Sequence, residues 1–579
     1  MKNTDIAKVF QDIADLLELK EESPFKVRAY QRGARSINQL PVQVDQLIKE
    51  GRLKEVPCIG EAISKKIVEL VTTGRLEYYE NLRAEFPEGI STLLDIPGIG
   101  PKTALQLTQE LGIRSADELE IAIIDGRVAN LPHLGGKAAQ NILHRLRRDR
   151  AKEKKPSIGV VLPFVEDMMT SLRERTNVNN LTPTGDARRF SDTVGAVTLL
   201  GSATDSKSVI EVFAGLPQVR EVISQCDTSA SVVTLNDLQV NLCIVDSNVF
   251  GSYLQHHTGS EQHNILLSNK ARDRGFDLRS DGIADLGTGR LDRFSTEEKF
   301  YRFLDMEFIP PELREGRDEI EKAQRGMLPR LLELSDIKGD LHVHTNWSDG
   351  KNSIEEMARE AQSLGYQYLA ITDHSAGRGI AHGLNPERVA QQIKEIERLN
   401  KTLDGIHILS GIEVDIRADG TLDLPDDILS QLDVVIAAIH SGLQQDKEKI
   451  TQRIICALEN YHVDVLAHPT CRLLGERDPV DADWEAIFRA ASRTGTILEI
   501  NSMPSRLDLK DIHIFRAREL GVKLVIDTDS HTVGHLGLMR FGIGTARRGW
   551  CEAKNVLNTE SLDRVQDFFK QPRYARRCL

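Results

Sequence analysis

The sequence predicts a multidomain chain, with an α-helical N-terminal region built on repeated hairpin turns and a C-terminal barrel in which parallel strands alternate with helices. Two patterns carry this reading. Near the N-terminus an apolar residue, Pro, two further residues and Gly recur three times, each time followed by an amphipathic helical stretch. From residue 340 onward, seven short apolar runs are separated by helical stretches of the kind that parallel strands need as crossovers. At 579 residues the chain exceeds the usual domain length several times, so roughly three to five domains with cores of their own are expected.

Hydrophobic residues make up 40% of the chain and charged residues 28%, the balance of a soluble globular protein, and no apolar run is long enough to span a bilayer. No membrane partner is expected. The segment MKNTDIAKVFQDIADLLEL alternates charge with an apolar helical stripe and lacks the apolar core and cleavage site of a secretory signal, which points to the cytoplasm. Seven cysteines, at 58, 226, 243, 456, 471, 551 and 578, form no Cys-x-x-Cys pair, which argues against a disulfide framework and against a thiolate zinc site. The net charge of −13 is a sum over domains, whereas DNA meets a local surface. Arg145, Arg147, Arg148, Arg150, Lys152, Lys154 and Lys155 form a basic run, and the last third is rich in Asp and Glu.

The repeated turns are Val56-Pro57-Cys58-Ile59-Gly60, Ile96-Pro97-Gly98-Ile99-Gly100 and Leu131-Pro132-His133-Leu134-Gly135. Pro fixes the turn, and Gly removes the side chain where a backbone must approach closely, so main-chain N–H groups at a helix start can face a phosphate. One such turn is usually only a turn. Three, each leading into a helix with basic residues, predict helix-hairpin-helix DNA binding through Gly60, Gly98, Gly100, Lys102, Gly135 and Lys137, without base readout. With Pro24-Phe25-Lys26-Val27-Arg28-Ala29-Tyr30, this region resembles the N-terminal lyase domain (1–80) and fingers (81–155) of family X DNA polymerases. The resemblance makes Lys66 the candidate lyase lysine, which forms a Schiff base with a baseless sugar in relatives that have the activity. An exposed helix lysine in the Lys65-Lys66 pair is the alternative.

The stretch from about 156 to 325 resembles the family X palm (156–255) and thumb (256–325), an α+β nucleotidyltransferase-like fold. The resemblance rests on Gly185-Asp186-Ala187-Arg188-Arg189, Thr193-Val194-Gly195, Thr258-Gly259-Ser260, His263-Asn264 and Ile309-Pro310-Pro311-Glu312-Leu313-Arg314-Glu315-Gly316. Nucleotidyl transfer in that family needs three carboxylates around two magnesium ions. Ala196, Thr198 and Asn241 stand at those places. Ala offers no ligand, and neutral oxygen donors suit magnesium less than carboxylate does. Asp186 replaces a serine that faces the triphosphate, and His256-His257 replaces a Tyr-Phe pair at the sugar. A folded palm that has lost polymerisation is expected.

After a linker at 326–335, the runs of the last segment (336–579) are Asp340–His344, Tyr368–His374, Ile408–Glu413, Val434–His440, Val463–His468, Thr496–Asn501 and Val522–Asp529. Six of the seven end in or just before His, Asp or Glu, and the other ends in Asn501. In a β/α barrel the C-terminal strand ends meet at one mouth, so these side chains converge. His342 and His344, two apart on a strand, leave one face, and Asp529 and His531 repeat the spacing. Imidazole and carboxylate without thiolate suit manganese, zinc or iron, with Glu413 or Asp529 able to bridge two ions. Arg378, Arg417, Arg472 and Asn501 lie on mouth loops as candidate phosphate clamps.

These motifs resemble the PHP (polymerase and histidinol phosphatase) family, whose domain is a distorted (β/α)7 barrel with a trinuclear site. The resemblance implies nine catalytic and metal-ligating residues: His342, His344, Asp349, His374, Glu413, His440, His468, Asp529 and His531. It further implies one ion at His342, His344, Glu413 and Asp529, a second at Asp349, His374 and His468, and a third at Glu413, His440 and His531. End to end, the chain resembles bacterial family X DNA polymerases with a fused PHP domain. That resemblance implies a monomeric DNA-repair enzyme, acting on gapped or damaged DNA in base excision repair, with three divalent ions, manganese or zinc, serving a 3′–5′ exonuclease or 3′-end phosphodiesterase. A gap-filling polymerase and a small-molecule phosphatase with an inherited DNA module are the alternatives.

Overall fold

Spacings of three and four residues put Ile6, Phe10, Ile13 and Leu17 on one side of a helix, and in the computed structural model all four are buried in the first helix, Asn3–Leu19. The structure describes residues 3–20, 22–38, 44–49, 51–53, 56, 59–87, 89–94, 96, 99–128, 131, 135, 139, 142–143, 155–377 and 381–578. They form two compact units, Met1–Lys154 and Lys155–Leu579.

The first unit continues with helices Pro24–Asn38, Val44–Lys49, Glu61–Thr73, Glu77–Ala84, Ile90–Leu94, Pro101–Leu111 and Ala116–Ile124. Gly60 and Gly100 are the N-caps of Glu61–Thr73 and Pro101–Leu111, where the repeated turns place them. Pro101 occupies the first position of its helix, where a missing N–H costs nothing. That helix stops at Gly112, whose φ of 66° is left-handed and disfavours a Cβ.

The second unit begins with helix Ile158–Arg175 and a mixed sheet of β1 (Asn179–Pro183), β2 (Val197–Ser202), β3 (Val219–Gln225), β4 (Ser229–Thr234) and β5 (Gln239–Val245), in the order β1-β2-β5-β4-β3. Inward positions alternate along β4 and β5, as expected of strands covered on one face. A smaller sheet, β6 (Phe276–Arg279), β7 (Gly282–Asp285) and β8 (Leu291–Asp292), follows among helices. Here buried charge is paired: Glu297 meets Arg188 and Arg314 at 2.6 Å each.

Seven parallel strands then follow in sequential order: β9 (Gly339–Val343), β10 (Tyr368–Ile371), β11 (His407–Asp415), β12 (Val434–Ala438), β13 (Val465–Leu466), β14 (Ile497–Asn501) and β15 (Leu524–Asp527). β15 and β9 do not form a continuous ladder. They meet through a single Val343–Ser530 bridge and through side chains, with Leu341 N donating to Asp527 at 2.7 Å and Thr528 Oγ1 to Asp340 at 2.5 Å. The barrel is therefore nearly closed, with one stitched seam.

The barrel shares its apolar cores with the sheets before it. Leu507 and Phe541 are buried in the core of the five-stranded sheet, and Trp550 in that of the smaller one. Ion pairs Arg548–Glu315 at 2.7 Å and Arg317–Asp511 at 2.9 Å bracket them. No helix among the described residues is long and apolar enough to cross a membrane.

Candidate metal centre

Strand alternation aims His342 and His344 into the barrel mouth, where both are fully buried and their Nε2 atoms lie 3.1 Å apart. Asp529 Oδ1, just past β15, is 3.2 Å from His344 Nε2 and 3.7 Å from His342 Nε2. Glu413 on β11 reaches the centre, with Oε2 2.6 Å from His374 Nδ1 and Oε1 3.2 Å from His440 and 3.0 Å from His468. Asp349, on the loop after β9, lies 3.5 Å from His374 and 3.4 Å from His531. All nine residues singled out in the sequence thus meet in one cluster.

Among the described residues, three sets bring their ligand atoms within 4.8 Å of one another: His344, Asp349, His374 and His531; His342, His344 and Asp529; and His374, Glu413 and His440. This partition differs from the one the family resemblance implies. His531 stands with Asp349, and His468 with Glu413. The reason is the seam: the loops after β9 and β15 are neighbours there, with Lys351 N donating to the His531 carbonyl at 2.8 Å, whereas His440 and His468 follow β12 and β13 and face β11.

The donors fit divalent cations. Among the described residues His344 Nδ1, His440 Nε2 and His468 Nδ1 are buried without a hydrogen-bond partner, and His374 Nδ1 and Glu413 Oε2 have none but their own 2.6 Å ion-pair contact, a costly state that a bound ion relieves for those facing it. Burial drives imidazoles neutral, and with neighbouring His531 and His374 it takes His344 down to about 3. For His374 burial is outweighed by Glu413 and Asp349, which hold it up at about 9. Burial opposes charge on Glu413 and Asp529 too, yet the surrounding histidines hold both carboxyls well below their usual range. The cluster therefore keeps its anions charged and binds protons where cations would sit. His468 and Asp529 also hold positive φ, 28° and 53°, backbone strain of the sort concentrated at functional sites.

Two orienting acids escape notice in the sequence. Glu499 Oε1 accepts from His342 Nδ1 at 2.6 Å and its Oε2 from the His468 N–H at 2.5 Å, and Asp415 meets His440 Nδ1 at 3.0 Å. Both lie two residues from a noted strand-end position, Asn501 or Glu413, so strand alternation was the available signal. The mouth residues expected to clamp phosphate are otherwise engaged. Arg472 is buried and bonded to the Arg506 and Leu507 carbonyls and to Asp192; Asn501 is buried against Glu499 and Asp529. Arg417 donates to the Asp423 carbonyl at 3.4 Å and faces Asp419, and Arg378 lies outside the described residues. Arg506, not expected, stands 3.6 Å from Asp529.

In the five-stranded sheet Thr198 and Asn241 are register partners on parallel β2 and β5, and Asn241 Nδ2 donates to Thr198 Oγ1 at 3.3 Å. Ala196 is exposed just before β2. Asp186 is paired with Arg189 at 2.6 Å and faces Lys155 at 3.7 Å, and His257 stacks on Tyr253. In the first unit a Cβ at Gly60, Gly100 or Gly135 would meet nothing within 4 Å among the described residues. Lys102 is exposed, and Lys66 lies over the Tyr78 ring at 4.6 Å. Gly98, Lys137 and the basic run up to Lys154 lie outside the described residues.

Family models match along the chain: a helix-hairpin-helix domain at 1–76, a helix-hairpin-helix tandem at 90–148, the DNA polymerase beta thumb at 253–315 and the PHP domain at 340–503. The DNA polymerase/3′-5′ exonuclease PolX of Bacillus subtilis strain 168 is 38% identical over 573 residues, covering 99% of this chain and 100% of that protein. A probable phosphatase of Thermoanaerobacter sp. strain X514 is 31% identical over 244 residues, 40% of this chain and 94% of its own, and one of Shewanella sediminis is 32% identical over 212 residues, 34% and 80%.

Proposed function

The chain belongs to the bacterial family X DNA polymerases that carry a PHP domain and 3′–5′ exonuclease, and from that premise we propose a monomeric DNA-repair enzyme that trims 3′ ends of gapped or damaged DNA with three manganese or zinc ions. The observation that carries this is the single buried cluster of seven-strand-barrel histidines and carboxylates with orphaned donor atoms. His342, His344 and Asp529 would hold one ion, His374, Glu413 and His440 another, and Asp349 with His531 a third, with His468 completing the shell at Glu413. Lewis acidity toward the phosphoryl oxygens is what bound ions supply. The chain's own part is orientation: Glu499 and Asp415 would accept hydrogen bonds from Nδ1–H of His342 and His440, leaving each Nε2 lone pair facing the cluster.

DNA would be held by the hairpins. Gly60 and Gly100 head helices, and among the described residues a Cβ there would meet nothing within 4 Å, which supports phosphate contacts that are indifferent to sequence. In the palm, neutral Thr198 and Asn241 satisfy each other instead of binding magnesium, and this supports loss of polymerisation. The likeness of the barrel to probable phosphatases keeps a second reading, hydrolysis of small phosphate esters. The test is His342→Ala with His344→Ala in the full chain, assayed on end-labelled gapped DNA. Hydrolysis should vanish while DNA binding, which should fall steeply with salt, persists. Retained trimming refutes the reading; competition of gapped DNA against a chromogenic ester separates the phosphatase alternative.

A further inference from the structure

The loop that joins His344 to Asp349 is pinned from two sides. Beneath it, fully buried Asp373 accepts from Thr345 N at 2.8 Å, from Thr345 Oγ1 at 2.6 Å and from Ser348 Oγ at 2.5 Å, and Gln392 Nε2 donates to it at 2.7 Å. Thr345 Oγ1 in turn accepts from Trp347 N at 3.2 Å. Beside it, Arg388 of helix Pro386–Asn400 donates to the carbonyls of Trp347 and His382 and lies over the indole, 5.9 Å from the ring centroid. That grip is seated next to a ligand, since Leu384 N donates to the His374 carbonyl at 2.7 Å.

Trp347 is thus fixed on the rim of the cluster, between two of its ligands in sequence. A tryptophan kept for packing is covered, as Trp550 is at 1% exposure. Trp347 packs only partly against the barrel's apolar core and stays part-exposed, and its indole N–H is open to solvent with no partner among the described residues. An aromatic side chain already ordered in this way takes a flat ring against its face at little further entropic cost. Every nucleobase has such a face, so stacking is indifferent to sequence.

We propose that Trp347 is the stacking platform for the nucleobase at the 3′ end of the strand, setting the terminal nucleotide against the metal cluster. Its ligand is a purine or pyrimidine ring, held by its face, with no readout of which base it is. This rests on the reading of the barrel as a DNA 3′-end hydrolase.

The base can be taken from the substrate as well as the ring from the protein, and comparing the two tests the contact. Full-length, manganese-loaded wild type, Trp347→Ala and Trp347→Phe are assayed for kcat and KM on two 5′-labelled single strands, with metal content measured for each protein. The strands differ only at the 3′-terminal residue, a normal nucleotide in one and a tetrahydrofuran abasic residue in the other. Trp347→Ala should raise KM about 5- to 150-fold on the normal strand, the scale of one base–aromatic stack, with kcat and metal content little changed. Trp347→Phe should keep most of the wild-type affinity. On the abasic strand all three proteins should share one KM, close to that of Trp347→Ala on the normal strand. A wild-type KM in Trp347→Ala, an equal rise on both strands, or loss of metal with the substitution would each overturn the inference. Wild-type protein that shortens neither strand would instead overturn the underlying reading.

Discussion

Asn241 donates to Thr198 at 3.3 Å across two parallel strands, so at two of the three places where the family resemblance implies carboxylates, neutral side chains are bonded to one another. Asp186, a further departure, is paired with Arg189 at 2.6 Å. Arg189 is committed elsewhere too, to Glu315 and the Thr258 carbonyl. Restoring Asp at 196, 198 and 241 together should therefore yield little synthesis, because Asp186, paired with Arg189, still stands where the family resemblance implies a serine facing the triphosphate. Adding Asp186→Ser to the triple variant should raise primer extension above it; equal extension by both would show that Asp186 is no obstacle.

Glu499 orients two histidines at once. Glu499→Gln keeps its shape but loses the negative charge opposite the His342 Nδ1 proton, and metal affinity should fall about 10- to 100-fold, as for other orienting partners. Competition with a calibrated chelator reads this directly. Unchanged affinity would reduce Glu499 to packing.

His263 is buried between Glu319 at 2.8 Å and Tyr301 at 3.0 Å. Burial lowers its pKa more than Glu319 raises it, so the unfolded chain takes up this proton at a higher pH than the folded one does. The stability it contributes is whole above the unfolded value near 6.5 and is lost as pH falls from there toward the folded pKa. His263→Gln should flatten that part of the melting-temperature profile on the acid side. A profile identical to wild type would place the acid sensitivity elsewhere.

Much of the centre was legible because its pattern is local and repeated: strand after strand ends in a ligand type, and spacing by two fixes the face. What escaped depends on contacts between distant segments. The partition of ligands follows from the β9–β15 seam, which no single run displays. Arg472 looked like a mouth arginine because its partner Asp192 lies 280 residues away. Leu507, Phe541 and Trp550 read as ordinary apolar residues, and only the fold shows that they fill the cores of the palm and thumb.

One assay bears most directly on the account: full-length protein on a gapped duplex with a 5′-labelled primer, in manganese, with and without the four nucleotides. The expected outcome is a ladder of products shorter than the primer in both reactions, and none longer. Products longer than the primer, or a primer left intact in manganese, would contradict it.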